Sequence, residues 1–109
     1  MTGATARNAA ARGRQLLEGA RLIGDKTTGI GDVRGLGLLV GSEFTAADGT
    51  PDNATAQAAQ QEAARRGLLL LTCGAYMNVV RMVPPLVVTA EQVDEALAIW
   101  SETVAAVTS

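Results

Sequence analysis

The sequence predicts an α+β fold, a two-layer small domain in which helices pack on a sheet of three to four strands. Two observations predict it: helical apolar periodicity at both ends of the chain, and short apolar or β-branched runs between them, bounded by glycine and proline. The resulting order of helix, strand, helix, strand, strand, helix asks for one small sheet covered by helices. With 109 residues and 11.2 kDa, residues 1–109 make a single domain, large enough to bury roughly 60 to 70 per cent of the unfolded surface.

From about Ala9 to Ile23 the chain is rich in Ala, Leu, Arg and Glu, with Leu16, Leu17, Ala20 and Ile23 at helical spacing, which predicts an amphipathic helix with a basic outer face. Gly29, Gly31, Gly35 and Gly37 loosen the backbone after it. The apolar run Leu36 to Phe44 predicts a buried strand with an irregularity at Gly41, closed by Asp48-Gly49. Thr50 before Pro51 has the form of an N-cap with proline at the first helical position. The alanine- and glutamine-rich helix that follows should stop at Arg65-Arg66-Gly67, with basic residues in its last turn and glycine just beyond.

Leu68 to Thr72 predicts a short apolar strand, the residues from Cys73 to Asn78 a turn, and Val79 to Val83 a further strand. Pro84-Pro85 ends it, since neither residue can donate to a ladder. Thr89-Ala90-Glu91-Gln92 fits a capping box, and Val93, Ala96, Leu97, Trp100, Val104 and Val107 form one apolar stripe of a C-terminal helix.

Composition narrows the function. Hydrophobic residues make up 48% and charged residues 18%, as in folded globular domains. A formal net charge of -2, from 9 basic and 11 acidic residues, supplies neither the basic field that nucleic acid needs nor a polybasic patch for anionic lipid. No run is long and apolar enough to span a bilayer, and the first residues lack the apolar core of a signal peptide. The chain has no histidine, which removes Ser/His and Cys/His nucleophile pairs and histidine-bearing zinc sites. Cys73 is the only cysteine, so no internal disulfide forms, and a single thiol suits the reducing cytoplasm.

Several residues invite a chemical role and are better explained by structure. Gly35-Leu36-Gly37 lacks the helix that a dinucleotide-binding loop must open, so the glycines serve a bend and close packing. Cys73 has no identifiable base and reads as a small buried apolar residue. Lys26, the only lysine, lies in a polar loop beside Asp25 and Thr27, where nothing would desolvate it. Trp100 belongs to the apolar stripe, and Arg34 has Asp32 as a local partner. Tyr76 and Met77 suit a pocket mouth beside Arg81 or simple edge packing equally well.

Arg81 is different. Strand alternation places it with Val79 and Val83, and the opposite face carries Val80 and Met82. A guanidinium set among apolar side chains costs several kcal/mol unless an anion faces it, and its planar fork prefers a carboxylate held bidentately. That anion is either an acidic residue of the protein, which physics alone favours, or a ligand.

Three motifs in order, Ile30-Gly31-Asp32-Val33-Arg34-Gly35-Leu36-Gly37-Leu38-Leu39-Val40-Gly41, then Arg66-Gly67-Leu68-Leu69-Leu70-Leu71, then Asn78-Val79-Val80-Arg81-Met82-Val83-Pro84-Pro85-Leu86, resemble the end of a class III aminotransferase. The nearest likeness is to the 4-aminobutyrate aminotransferase branch, and it runs from about Ala11 to the C-terminus. The resemblance implies the C-terminal small domain of a pyridoxal-phosphate enzyme of fold type I that works as a homodimer or larger homo-oligomer. It implies that Arg81 binds a carboxylate of an amino-acid or 2-oxo-acid substrate, or pairs with a glutamate of the large domain.

The same resemblance places the Schiff-base lysine, the aspartate at the pyridine nitrogen and the phosphate-binding residues in a large domain outside residues 1–109. Lys26 does not sit where that lysine would. The chain alone is therefore expected to bind no pyridoxal phosphate, to hold no catalytic residue or metal ligand, and to be inactive, contributing Arg81 to transamination of 4-aminobutyrate or a similar omega-amino acid. The alternative is a stand-alone small-molecule-binding or interaction module that keeps the fold without the chemistry.

Overall fold

The computed structural model describes residues 3–85 and 88–108. Helix α1 (Gly3–Asp25) leads into strands β1 (Ile30–Leu36) and β2 (Leu39–Phe44), helix α2 (Asn53–Arg65), strands β3 (Leu71–Cys73) and β4 (Val79–Met82), and helix α3 (Ala90–Thr108). The four strands form one antiparallel sheet in the order β1-β2-β4-β3. The α+β class and the helix-covered sheet are as the sequence predicts. No described helix is long and apolar enough to cross a membrane.

One face of the sheet is the core. Val33, Val40, Phe44, Val80 and Met82 point into it, together with buried Ser42. Helices α1 and α2 pack on that face and α3 packs on both helices. Each helix presents what its position needs. Helix α2 turns a row of fully buried alanines, Ala56, Ala59 and Ala63, toward the core, and α1 buries Gly13, Leu16, Ala20 and Gly24 at three- and four-residue spacing. From α3, Trp100 reaches through to meet Phe44 edge to face, with ring centroids 6.1 Å apart and planes at 83°. Trp100 is thus core, and Val93 and Val104 of its stripe are buried beside it.

Both ends of the chain's helical signals hold up in part. Thr89 Oγ1 accepts from the Gln92 amide at 3.1 Å and the Gln92 side chain accepts from the Thr89 amide at 3.0 Å, which is the predicted capping box. The stop of α2 is a complete Schellman closure. Gly67 has φ +90, its amide donates to Ala64 and the Leu68 amide donates to Ala63. The start of α2 needs correction: the cap is Asp52, whose carboxylate accepts from the Thr55 amide at 3.0 Å and from its hydroxyl at 2.6 Å. Thr50 instead donates to Asp48, and Pro51 sits in a bridge with Thr45. Helix α1 begins six residues before the expected Ala9, at Gly3.

The largest difference lies between residues 30 and 44. The expected single strand Leu36–Phe44 is two strands joined by Gly37-Leu38. Leu36 pairs with Leu39 across a two-residue loop whose first residue, Gly37, has φ +59, the pattern of a type II′ turn. Leucine at the second loop position and apolar residues on both sides hid that turn. The irregularity expected at Gly41 is absent there; the ladder slips instead between Ile30 and Asp32. Strand β3 also starts later than Leu68, because the Leu68 amide is used in closing α2 and the Leu70 carbonyl accepts from Gln60. Strand β4 stops at Met82, so Val83 and Pro84 lie beyond it. Leu86, the last residue of the third motif, is outside the described residues.

Candidate functional site

Among the described residues no helix packs on the other face of the sheet. Residues that alternate with the core positions therefore line an open surface: Asp32 and Arg34 on β1, Leu39, Gly41 and Glu43 on β2, Val79 and Arg81 on β4, and Leu71 and Cys73 on β3. The register sets Arg34, Gly41, Arg81 and Leu71 in one row across all four strands. Along this row a cleft of about 300 Å³ is lined by Arg34, Leu39, Gly41, Cys73, Val79 and Arg81.

Arg81 is half-buried in that cleft, and its Nε has neither solvent nor a hydrogen-bond partner. None of the ion pairs among the described residues involves Arg81. Physics alone favours an in-chain acidic partner, and none is placed against Arg81 among the described residues. Arg12 on α1 has a similarly orphaned Nε but does not line this cleft. The apolar surroundings predicted for Arg81 are present on one side only: Val79 is buried, whereas Val83 is largely exposed. The start of β4 is pinned by Asn78, whose side-chain amide donates to the Phe44 carbonyl at 2.9 Å while the Phe44 amide donates to Asn78 at 2.8 Å. This buried pair fixes the register that places Arg81 opposite Gly41.

Arg34 behaves as its sequence context predicts. Its guanidinium donates to Asp32 at 2.7 Å and stands 3.7 Å from Glu43. The hydrogen bond with Asp32, outweighing a little desolvation and helped by the charge of Glu43, pushes the guanidinium above its ordinary value. Arg34 is thereby neutralised locally, and Arg81 is the uncompensated cation of the cleft.

The remaining candidates separate. Cys73 is partly buried and shares the Arg81 cleft, which its sequence position alone did not reveal. Lys26 is exposed in the turn after α1, in a different hollow lined by Thr27, Thr28, Ser101 and Thr108. Tyr76 and Met77 are exposed and do not line the cleft; their carbonyls accept from the Asn53 side chain. Gly35-Leu36-Gly37 belongs to a strand and a turn, with no helix opening at the glycines. Among the described residues no group of three potential ligands is placed to hold a metal ion. An apolar groove of about 240 Å³ between Leu16, Leu69, Met82, Val83 and Val88 contains no charged side chain.

Strand alternation marked Val79 as a neighbour of Arg81, but it did not place Gly41 and Leu39 there, because their position depends on β2 and β4 pairing across an intervening helix. The family described as aminotransferase class-III matches residues 2–104. The chain is 41% identical over 91 residues to 5-aminovalerate aminotransferase DavT of Pseudomonas putida, covering 83% of this chain and 21% of that protein. It is 38% identical over 93 residues to 4-aminobutyrate aminotransferase GabT of Escherichia coli, covering 83% of this chain and 22% of that protein. A solved N-acetylornithine aminotransferase from Stenotrophomonas maltophilia superposes with a TM-score of 0.82 at 31% identity, over 96% of this chain and 27% of that one. The chain thus spans about a fifth of the length of the curated relatives it matches.

Proposed function

Since this chain belongs to the class III aminotransferase family, we propose that it serves as the small C-terminal domain of a transaminase and that Arg81 binds a substrate carboxylate. The observation that carries the reading is the half-buried Arg81 guanidinium, without an ion pair among the described residues, in an open cleft on the bare face of the sheet. A carboxylate matches its planar donor fork, and a site partly shielded from water strengthens the attraction. The likeness to 4-aminobutyrate and 5-aminovalerate aminotransferases supports an omega-amino acid as donor and a 2-oxo acid as acceptor.

Class III aminotransferases are pyridoxal-phosphate enzymes, and the residues of this chain do not fit that group. The single lysine, Lys26, is exposed and lies apart from the Arg81 cleft, and that cleft has no lysine in its lining. On this reading the cofactor is held by residues outside the chain, in a large domain against which the open face packs, within a cytoplasmic homodimer or larger homo-oligomer. This chain's share of the work is to bind and orient the carboxylate, and it is inactive alone.

The test is Arg81→Ala in the full-length enzyme that carries this chain. Removing one member of a desolvated charge pair costs about 2 kcal/mol or more, so kcat/KM for 4-aminobutyrate should fall roughly thirtyfold or more. Unchanged kinetics would remove Arg81 from the site.

A further inference from the structure

We propose that Gly41 determines specificity in the Arg81 site: its bare backbone forms the floor over which the substrate carboxylate lies, between the guanidinium of Arg81 and the wall made by Arg34. The inference rests on the carboxylate-binding reading of Arg81 and adds a residue to it.

Gly41 is the direct cross-strand partner of Arg34 on one side and of Arg81 on the other. Side chains at such paired positions share a face with Cβ atoms about 4.5–5.5 Å apart, so any side chain at 41 would stand between the two arginines. A Cβ there would meet only Val79 Cγ1, at 3.1 Å, and nothing else within 4 Å. That one contact is tight, so the buried Val79 would have to give by a few tenths of an ångström, while the rest of the space is open and belongs to the cleft.

Backbone geometry does not ask for glycine here. Its φ is not positive, no backbone approaches it, and the ladder through it is regular. Glycine in a strand interior costs roughly 0.5–1 kcal/mol relative to alanine. What favours it is the close approach of Val79 together with the empty volume beside the uncompensated guanidinium. Arg34 is balanced by Asp32 and Glu43, so one negative charge on the ligand completes the site. Leu39, Val79 and Cys73 shape the rest of the wall.

The full-length enzyme with Gly41→Val and Gly41→Ala tests this, using 4-aminobutyrate against n-butylamine, which has the same carbon chain and no carboxylate. A branched side chain at 41 would occupy the floor of the site, so Gly41→Val should raise KM for 4-aminobutyrate about tenfold or more. Activity toward n-butylamine should change less than about twofold, since any loss of stability from crowding Val79 bears on both amines alike. If Gly41→Val does not fold, Gly41→Ala should show the same selective rise at about threefold. Equal effects on both amines, or none on either, overturn the proposal.

Occupancy is also readable without turnover. At a concentration near the parent's KM, 4-aminobutyrate should slow alkylation of Cys73 by iodoacetamide, followed by mass spectrometry, in the parent and much less in Gly41→Val; equal slowing in both overturns the floor role. Arg81→Ala in the same assays separates the two ideas. If it raises KM for 4-aminobutyrate and Gly41→Val does not, only Gly41 loses its role; if neither does, the Arg81 reading falls as well.

Discussion

Gly13 of α1 lies against the carbonyl of Gly37 in the β1–β2 turn, so closely that a Cβ at position 13 would overlap the carbonyl oxygen and come within 2.7 Å of its carbon. The hairpin that positions β2, and with it Gly41, is therefore seated on a glycine of the first helix. Two effects compete when that glycine is replaced. Alanine is favoured over glycine inside a helix by about 1 kcal/mol, while overpacking a site with backbone on the far side costs about 1–3 kcal/mol. The clash should win, because a backbone carbonyl cannot swing aside as a side chain can. Gly13→Ala is expected to lower stability by about 1–2 kcal/mol in chemical denaturation. A variant as stable as the parent, or more stable, would show that the hairpin is free to lift off α1.

That contact also shows why parts of the fold were unreadable in the sequence. The α3 helix was legible because its capping box and apolar stripe are local, and the same holds for Gly67 after α2. Strand β1 was not, since Gly31 and Gly35 dilute the strand signal and the Gly37-Leu38 turn lacks a polar residue. The cap of α2 was displaced by two residues because Thr50-Pro51 imitates a helix start, while Asp52 makes the actual bonds. At the site, Arg81 stood out as a lone charge in an apolar run. Its neighbours Gly41 and Cys73 did not, because they meet it only through the strand order β1-β2-β4-β3.

The loop before α2 offers a pH-dependent handle. Asp48 accepts from the Thr50 hydroxyl at 2.6 Å and from the Thr50 amide at 3.0 Å. Both bonds favour the ionised carboxylate, the hydroxyl more, and hold Asp48 below the ordinary value of 3.8. A carboxyl whose pKa is depressed by folding contributes stability that is present above its unfolded pKa and is lost as pH falls through the folded pKa. Any loop stabilisation from Asp48 should therefore be complete at neutral pH and disappear only below the normal aspartate range. Carbon-detected NMR titration of the Asp48 carboxyl should give a value under 3.8. In Thr50→Val the value should rise toward normal without reaching it, because the amide bond survives. Titration of Asp48 at or above the ordinary value in the parent would contradict the two bonds.

Replacing Arg81 with methionine distinguishes a binding arginine from a structural one. A structural guanidinium anchored by an acidic neighbour leaves that neighbour buried and unpaired when it is removed, and costs about 3–5 kcal/mol. Arg81 has no such neighbour among the described residues, and its Nε is already buried without a partner. Methionine keeps much of the side-chain stem that packs beside Val79 and Leu39 while removing an uncompensated, partly desolvated charge. The stability of this chain should accordingly be unchanged or rise by about 1 kcal/mol. Arg81→Lys should leave stability close to the parent, yet it keeps only a point charge in place of the bidentate fork, so it should not restore full carboxylate binding in the complete enzyme. Thermal and urea unfolding of the three chains gives the answer. If Arg81→Met loses more than about 2 kcal/mol, the guanidinium is holding the small domain together, and the case for a substrate carboxylate at this position fails.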